Sequence, residues 1–265
     1  MFEFHSDMVK YFDMQYKTSA EFIIPFIKEH MDLTGPLKVL EIGCAEAGVL
    51  KAFTELGHTC VGIELVQSRV DLAVKFMAKE LKEGKIKFIT RNIYDIDVQK
   101  DIGHQFDLII LKDVIEHIPN QEKFITQLHS FLNPNGFVFF GFPPWYMPFG
   151  GHQQICKNKL LSKLPYYHLL PGFLYKGLLK LFGEPEHIIR ELMSIKQTGI
   201  SIERFERLMR LNNYQISKHK SFLTNPIYKY KFGLKVREQL GFIRAIPFIR
   251  NFLTTCVYYL VKQRN

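Results

Sequence analysis

Short apolar runs alternate with stretches of helical spacing from residue 37 to about 142. LKVLEIG (37–43), HTCVGIEL (58–65), IKFITRNI (86–93), FDLIILKDV (106–114) and GFVFFGF (136–142) each read as a short strand, the apolar ones buried on both faces. Between them, AGVLKAFTELG predicts a helix stopped by Gly57. SRVDLAVKFMAKELKEG predicts a second, with Ser68 as N-cap and Val70, Val74, Met77 and Leu81 on one face. QEKFITQLHSFL predicts a third, with Phe124, Leu128, Phe131 and Leu132 at helical spacing, closed by Asn133-Pro134-Asn135-Gly136. Strands alternating with helices at this spacing imply an α/β domain built on a parallel sheet.

The rhythm breaks after Pro144. Residues 145–199 are rich in Pro, Gly, Tyr and Phe, and read as a largely helical insertion, a lid above the strand ends. Regularity resumes with SIERFERLMRLNN as a helix, YQISKHKSFL as a sixth strand and TTCVYYLVKQ as a seventh. The expected organisation is an N-terminal helical segment (1–36), a ligand-binding core (37–144), the lid (145–199) and the rest of the core (200–265). That last part contains a basic, aromatic segment at 225–250. The uncharged stretch between Lys123 and Lys157 is long enough to cross a bilayer, but Pro134, Gly136, Pro143, Pro144, Pro148, Gly150 and Gly151 interrupt it. It reads as a strand followed by an irregular loop.

With 47% hydrophobic and 23% charged residues, the 265-residue chain falls in the soluble globular class. Its four cysteines (Cys44, Cys60, Cys156, Cys256) are widely spaced with no CxxC pair, which argues against a disulfide framework or structural zinc and for a reducing compartment. The start, MFEFHSDMVKYFDMQYK, lacks the basic onset and apolar run of an export signal, so a cytoplasmic location is expected. The net charge of +9 is concentrated at one end. From Lys218 onward ten basic residues face one acid, Glu238. Such a segment can meet nucleic acid, an anionic membrane surface or an anionic substrate, or be a solvated face over ordinary core residues.

The first strand ends in Glu41-Ile42-Gly43-Cys44-Ala45-Glu46-Ala47-Gly48 and leads into a helix. Small residues there let backbone approach a ligand, and Glu64, at the end of the next strand, is placed to accept hydrogen bonds from a ribose diol. A dinucleotide site would want three glycines for its pyrophosphate. An acid at the turn's start, with Ala45 and Ala47 in place of glycine, repels phosphate and suits a cationic amine.

These segments together resemble the class I S-adenosylmethionine-dependent methyltransferases, in particular the ubiquinone and menaquinone methyltransferase branch. VLEIGCAEAG (39–48), VGIEL (61–65), FITRNIYDID (88–97), FDLIILKDVIEHIPN (106–120) and NPNGFVFFGFPP (133–144) are similar to that family's motifs in order. The resemblance implies a doubly wound, Rossmann-like, seven-stranded mixed sheet with an inserted helical cap. It also implies S-adenosylmethionine as cofactor, S-adenosylhomocysteine as product and a small-molecule acceptor. By the same resemblance Glu41, Gly43, Cys44, Ala45 and Gly48 would surround the methionine portion, and Glu64 the ribose. Leu65, Asn92 and Ile93 would lie by the adenine, and Lys112 and Asp113 by the methionine end.

A sulfonium methyl is already activated, so the protein mainly aligns the nucleophile and excludes water. A hydroxyl acceptor also needs a base, for which His117 (in DVIEHIP) and His152 (in PFGGHQQ) are the candidates, with Gln153 and Tyr146 as orienting groups. Outside DVIEH no His, Asp and Glu cluster at metal-ligand spacing, so metal-free methyl transfer to oxygen is expected. A lid carrying Trp145, Tyr146, Phe149, Tyr166, Tyr167, Phe173 and Tyr175 favours an apolar, quinone-like or lipid-like acceptor, met at an anionic membrane through 225–250. The competing readings are a non-catalytic cofactor-binding protein and a nucleic-acid methyltransferase using the basic segment. Against the latter, the fourth strand ends in KDVIEH, and Phe142-Pro143-Pro144-Trp145 falls after the fifth.

Overall fold

The computed structural model describes residues 7–264, so the first six residues of the predicted N-terminal segment lie outside the described residues. Helix α1 (Met8–Thr18) passes through a wider π turn (Ser19–Ile23) into α2 (Ile24–Lys28). Then follow β1 (Lys38–Ile42), α3 (Gly48–Glu55), β2 (Thr59–Glu64), α4 (Gln67–Phe76), α5 (Ala78–Lys82), β3 (Ile86–Thr90), β4 (Phe106–Lys112), α6 (Gln121–Phe131) and β5 (Leu132–Phe142). The segment beyond β5 holds α7 (Gly172–Leu181) and α8 (Glu186–Thr198). The chain closes with α9 (Ile202–Leu211), β6 (Tyr214–Thr224), α10 (Tyr228–Phe232), β7 (Arg237–Glu238), α11 (Gly241–Arg244), α12 (Ile249–Phe252) and β8 (Cys256–Gln263).

The strands form one sheet in the order β3-β2-β1-β4-β5-β8-β6-β7. Strands β1 to β5 are parallel, and β8 inserts antiparallel between β5 and β6. Alternate residues of the central strands feed opposite layers. Leu108 and Ile110 pack with Phe26, Leu50 and Phe53 from α2 and α3, whereas Ile109 and Leu111 pack with Phe124, Leu128 and Phe205 from α6 and α9. Covering both faces explains why β4 reads as an unbroken apolar run. Each fully buried Phe or Leu of these helices contributes about 1.5–3 kcal/mol. Helix α6 starts where the Asn120 side chain accepts the Lys123 amide, and α9 where Ser201 accepts that of Arg204.

Several expectations change. Ser68 is not the cap of the second predicted helix, which begins at Gln67 after an extended Val66. No side chain caps it, and the Glu64 carboxylate accepts the Leu65 and Val66 amides just ahead of it. That helix also breaks at Met77 before α5, and Val74, predicted to be inward, is 44% exposed. The Asn133–Gly136 turn is absorbed into β5, where the register with β4 slips between the Phe106–Leu132 and Leu108–Phe137 pairs. The two-residue β7, pairing with β6, makes the strand count eight rather than seven. Residues 145–171 are mostly irregular with three single 3-10 turns, as their Pro and Gly content demands, and helix returns only at α7. No helix among the described residues is long and apolar enough to cross a membrane.

The switch in strand order lies between β1 and β4, so the crevice for a ligand opens at their carboxyl ends. Helix α1 closes one wall by packing on α3. A Cβ on Gly48 would stand 2.5 Å from the Phe12 carbonyl oxygen and 2.8 Å from Gln15 Cβ. Gly48→Ala is therefore expected to destabilise by about 1–3 kcal/mol, with faster hydrogen exchange in α1. Gly177→Ala, in α7 with nothing within 4 Å of the added atom, should stabilise by up to about 1 kcal/mol and raise the melting temperature accordingly. A wild-type melt for Gly48→Ala would mean that α1 does not rest on α3.

Candidate functional site

The turn after β1 holds Gly43, Ala45 and Ala47 at left-handed φ values of 72°, 47° and 68°. Alanine at such angles costs about 1–2 kcal/mol, strain that glycine at the same positions would not carry. The amides of Gly43 and Cys44 donate to the Ile63 carbonyl, and that of Ala45 to Glu64 Oε2 at 3.0 Å. Because Glu64 Oε1 takes the Leu65 and Val66 amides at 2.9 and 3.0 Å, one carboxylate ties the β1 turn to the end of β2. Beside it Leu65 is 66% exposed, an apolar side chain open at the rim of the crevice. Asn92 Oδ1 accepts the Tyr94 amide and starts a 3-10 turn, while Ile93 is buried beneath.

Glu41 and Lys112 lie deeper, at the ends of β1 and β4. Both are buried. Burial, opposed by Lys112, pushes the Glu41 carboxyl well above the usual range, and its Oε2 has no hydrogen-bond partner. Lys112 Nζ sits 2.6 Å from Asp113 Oδ2. Against the burial that opposes both charges, this pair holds Lys112 above its ordinary value and Asp113 below its own. A cavity of about 70 Å³ runs along these groups, lined by Glu41, Gly43, Ala45, Gly48, Lys112 and Asp113 together with Tyr11, Phe12 and Gln15 of α1. The predicted cofactor residues of β1 and β4 are thus brought together. Cys44 faces the same cavity but its Sγ is buried, and its amide is spent on Ile63.

A larger cavity of about 440 Å³ opens beside it. Its walls include Asp113, Glu116, His117 and His152, with Met147, Phe149, Ile155, Ile227, Tyr228 and Phe232 as apolar lining. His117 and His152 come from different segments, yet their rings lie 4.8 Å apart at 74°. Burial, then the neighbouring His117, pushes His152 down to about 3, so the ring is neutral at physiological pH. The acid between them, Glu116, is buried and has no hydrogen-bond partner on either carboxyl oxygen. Burial, then Asp113, raises its carboxyl well above the usual range. Among the described residues, Glu116, His117 and His152 form a group with ligand atoms all within 4.8 Å of one another. Sequence spacing missed this group because His152 arrives from the loop after β5.

That loop is rigidly built. Trp145 N donates to the Ile200 carbonyl, and its own carbonyl is 2.8 Å from His168 Nε2. A Cβ on Gly151 would fall 2.3 Å from His168 Cβ, so the chain passes here only as glycine. Gln153, expected to orient a substrate, is instead buried and spends its Nε2 on the Pro148 carbonyl and His168 Nδ1. Tyr146, expected beside it, stacks outward on Phe252. Of the lid aromatics only Phe149 faces the cavity. Tyr167 and Tyr175 fill the lid's own core and Phe173 points to solvent, because an inserted segment needs apolar residues to hold itself together. The end of α8 grips the turn that carries Glu116 and His117: Thr198 Oγ1 donates to the Glu116 carbonyl at 2.6 Å, and Gln121 Nε2 donates to the carbonyls of Thr198 and Ile115.

Sequence reasoning also missed Arg69 and Glu46, which pair at 3.9 Å and line both cavities, and Lys231 of α10 in the wall of the larger one. In sequence the basic, aromatic segment reads as a surface for a membrane or an anionic partner, not as a wall of this cavity. Part of that charge is met by acids, as Lys218 pairs with Glu29, Lys220 with Glu238, Lys229 with Glu21, and Arg250 with Glu203 and Glu206.

A sheet with this order, an antiparallel strand beside β5, a tight turn after β1 and an acid ending β2 defines the Rossmann-like class that binds nucleosides at its switch point. Within it, the chain belongs to the methyltransferase domain family, whose match covers residues 15–152. Ubiquinone biosynthesis O-methyltransferase of Rickettsia bellii is 27% identical over 115 residues, 43% of this chain and 45% of that one. The protein of the same name from Pseudomonas syringae pv. tomato is 28% identical over 117 residues, 44% of this chain and 48% of that one. The chain spans just under half the length of these curated relatives. An S-adenosylmethionine-dependent methyltransferase from Clostridium acetobutylicum shares the fold with a TM-score of 0.56 at 12% identity, over 94% of this chain and 92% of that one. Magnesium protoporphyrin IX methyltransferase of Synechocystis, solved with S-adenosylhomocysteine, does so with a TM-score of 0.53 at 14% identity, over 95% and 84%.

Two outcomes follow from these contacts. Glu64→Ala leaves three backbone amides without their acceptor and should cost roughly 1–3 kcal/mol in urea unfolding, whereas an unchanged midpoint would show that the tie is dispensable. His168, pushed down to about 4 mainly by burial, takes up its proton in the folded state only well below its ordinary value of 6.5. Its contribution to stability is therefore intact above pH 6.5 and is lost as pH falls toward 4. Emission from Trp145, the single tryptophan, should change across that window, and the change should vanish in His168→Asn.

Proposed function

We propose that the chain transfers a methyl group from S-adenosylmethionine to an oxygen of an apolar, ring-bearing small molecule. The observation that carries this reading is the pair of adjoining cavities at the strand ends, one polar and narrow, the other wide with apolar side chains set among polar ones, which share Tyr11, Glu46, Arg69 and Asp113. The residues fit such a cofactor. Glu64 offers carboxylate oxygens to a ribose diol and Leu65 an apolar platform for adenine, with Asn92 beyond the end of β3 nearby and Ile93 buried in the core beneath it. The orphaned oxygen of Glu41, with Gly43, Ala45 and Gly48 around it and Lys112 and Asp113 opposite, would receive the amino-acid end.

When bound, S-adenosylmethionine supplies a methyl group activated on a sulfonium sulfur, which keeps the C–S electron pair as the acceptor oxygen takes the methyl. The chain's own part is alignment and exclusion of water. His152, kept neutral by burial, can accept a hydrogen bond from the acceptor hydroxyl, turn an oxygen lone pair toward the methyl and receive the hydroxyl proton as the O–CH3 bond forms, and His117 stands edge-on beside it. Met147, Phe149, Ile155 and Phe232 give the acceptor's ring a dry wall. The name carried by the Rickettsia and Pseudomonas relatives, ubiquinone biosynthesis O-methyltransferase, supports a hydroxylated ring as the acceptor class.

Segment 225–250 leaves large apolar side chains in solvent, Phe242 at 68% and Phe248 at 64%, with Arg244 among them. This supports delivery of an apolar acceptor from an anionic membrane surface. The ion pairs of Lys218, Lys220, Lys229 and Arg250 speak against a track for nucleic-acid phosphates.

Isothermal titration is the test. Saturable binding of S-adenosylmethionine and S-adenosylhomocysteine is expected, with none for nicotinamide dinucleotides and at least about tenfold weaker binding in Glu64→Ala, or 1.4 kcal/mol. Absence of binding by folded protein would overturn the reading. Sedimentation with phosphatidylglycerol vesicles, lost in a Phe242→Ser, Phe248→Ser double variant, checks the membrane contact.

A further inference from the structure

The chemistry above uses the two histidines but leaves Glu116 without a task. It is 2% exposed, both of its carboxyl oxygens lack a hydrogen-bond partner, and it lies beneath the floor of the larger cavity. Leaving a buried carboxyl unsatisfied is costly, and such groups are retained where something else completes them. Its neighbours are two imidazoles. His152 Nε2 is 4.0 Å from Glu116 Oε1, and one ligand atom from each of Glu116, His117 and His152 falls within 4.8 Å of the others.

We infer that Glu116, His117 and His152 form a binding site for a divalent transition metal, with its open coordination positions facing the acceptor cavity. Bonds of about 2.0–2.2 Å to nitrogen and carboxylate oxygen hold ligand atoms about 3–4 Å apart around an ion. Small side-chain rotations close the observed spacing to that value. The donor set selects the metal: imidazole with carboxylate suits zinc, iron, cobalt or manganese, while magnesium and calcium prefer oxygen throughout. Asp113 stands next to this group but is held by Lys112, so it balances charge rather than coordinating.

The structure braces each ligand. Glu116 and His117 share the single turn between β4 and α6, whose backbone is gripped by Thr198 and Gln121. His152 sits at a left-handed φ of 55°, fixed by the glycine before it and by the His168 anchor. Three ligands on two rigid segments with free space on one side is the arrangement of a metal that meets substrate. Resting on the methyl-transfer reading, the bound metal takes over from the His152 ring nitrogen as the group that meets the acceptor: it binds an oxygen, ideally one of a vicinal pair on a ring, lowers the pKa of its hydroxyl and fixes it against the methyl.

The experiment uses the full chain stripped with EDTA and titrated with Co²⁺, followed by visible absorption and calorimetry, with S-adenosylhomocysteine binding measured separately. One equivalent of Co²⁺ with ligand-field bands is expected. Glu116→Gln and His152→Asn should each weaken it by more than about tenfold, the lower bound for disturbing even an outer-shell partner, while Mg²⁺ should compete poorly. No stoichiometric Co²⁺ binding by stripped protein that still binds S-adenosylhomocysteine would overturn the metal site and leave the methyltransferase reading standing. Co²⁺ affinity unchanged in both variants would overturn it too. Co²⁺ binding lost in the variants, without any S-adenosylhomocysteine binding, would support the metal site and remove the methyl-transfer role.

Discussion

The carboxylate of Glu64 is the tie on which the ligand crevice depends. It accepts backbone amides from the turn after β1 and from the turn after β2, so two strand ends that are neighbours in the sheet become one rigid rim. The strained left-handed angles of Ala45 and Ala47 persist because that rim and the packing of α1 on α3 leave the turn no other path. In the proposed complex the same oxygens face the ribose. The acid therefore shapes the site and fills it.

A second coupling links the lid to the floor. The end of α8 and the side chain of Gln121 hold the turn that carries Glu116 and His117, and the His168–Trp145 contact holds the loop that carries His152. Both histidines and the buried acid are thus positioned by an insertion with its own small apolar core of Cys156, Leu161, Tyr167, Tyr175, Leu179 and Leu192. Most aromatic residues of that insertion are spent on making it rigid. The walls of the larger cavity come instead from a few residues of the lid and from α10.

Much was legible in the chain. The alternation of apolar runs and helical spacing placed β1, β2, β3, β4 and β5 and the helices between them, because burial on both sheet faces imposes a local signature. Strand-end positions also fixed Glu41, Gly43, Glu64, Lys112 and Asp113 near one crevice, since parallel strands bring their carboxyl ends together whatever the loops do. Misreadings fell where local signals compete with long-range partners. Ser68 looked like a cap, but the helix starts one residue earlier, after Val66, with no side-chain cap; Asn133–Gly136 looked like a stop, but it became an unpaired bulge inside β5 between the Leu132 and Phe137 pairs with β4.

The sequence by itself determined the layered α/β architecture and the cofactor end of the site, because both follow from periodicity and from residues close together along the chain. Only the tertiary structure decided the larger cavity beside it. His152 meets Glu116 and His117 there, Gln153 turns away to brace His168, and Lys231 reaches the cavity from an insertion between β6 and β8. These contacts join segments far apart in sequence, and their geometry is set by packing of the lid and of α10 against the strand ends, for which no local spacing rule exists.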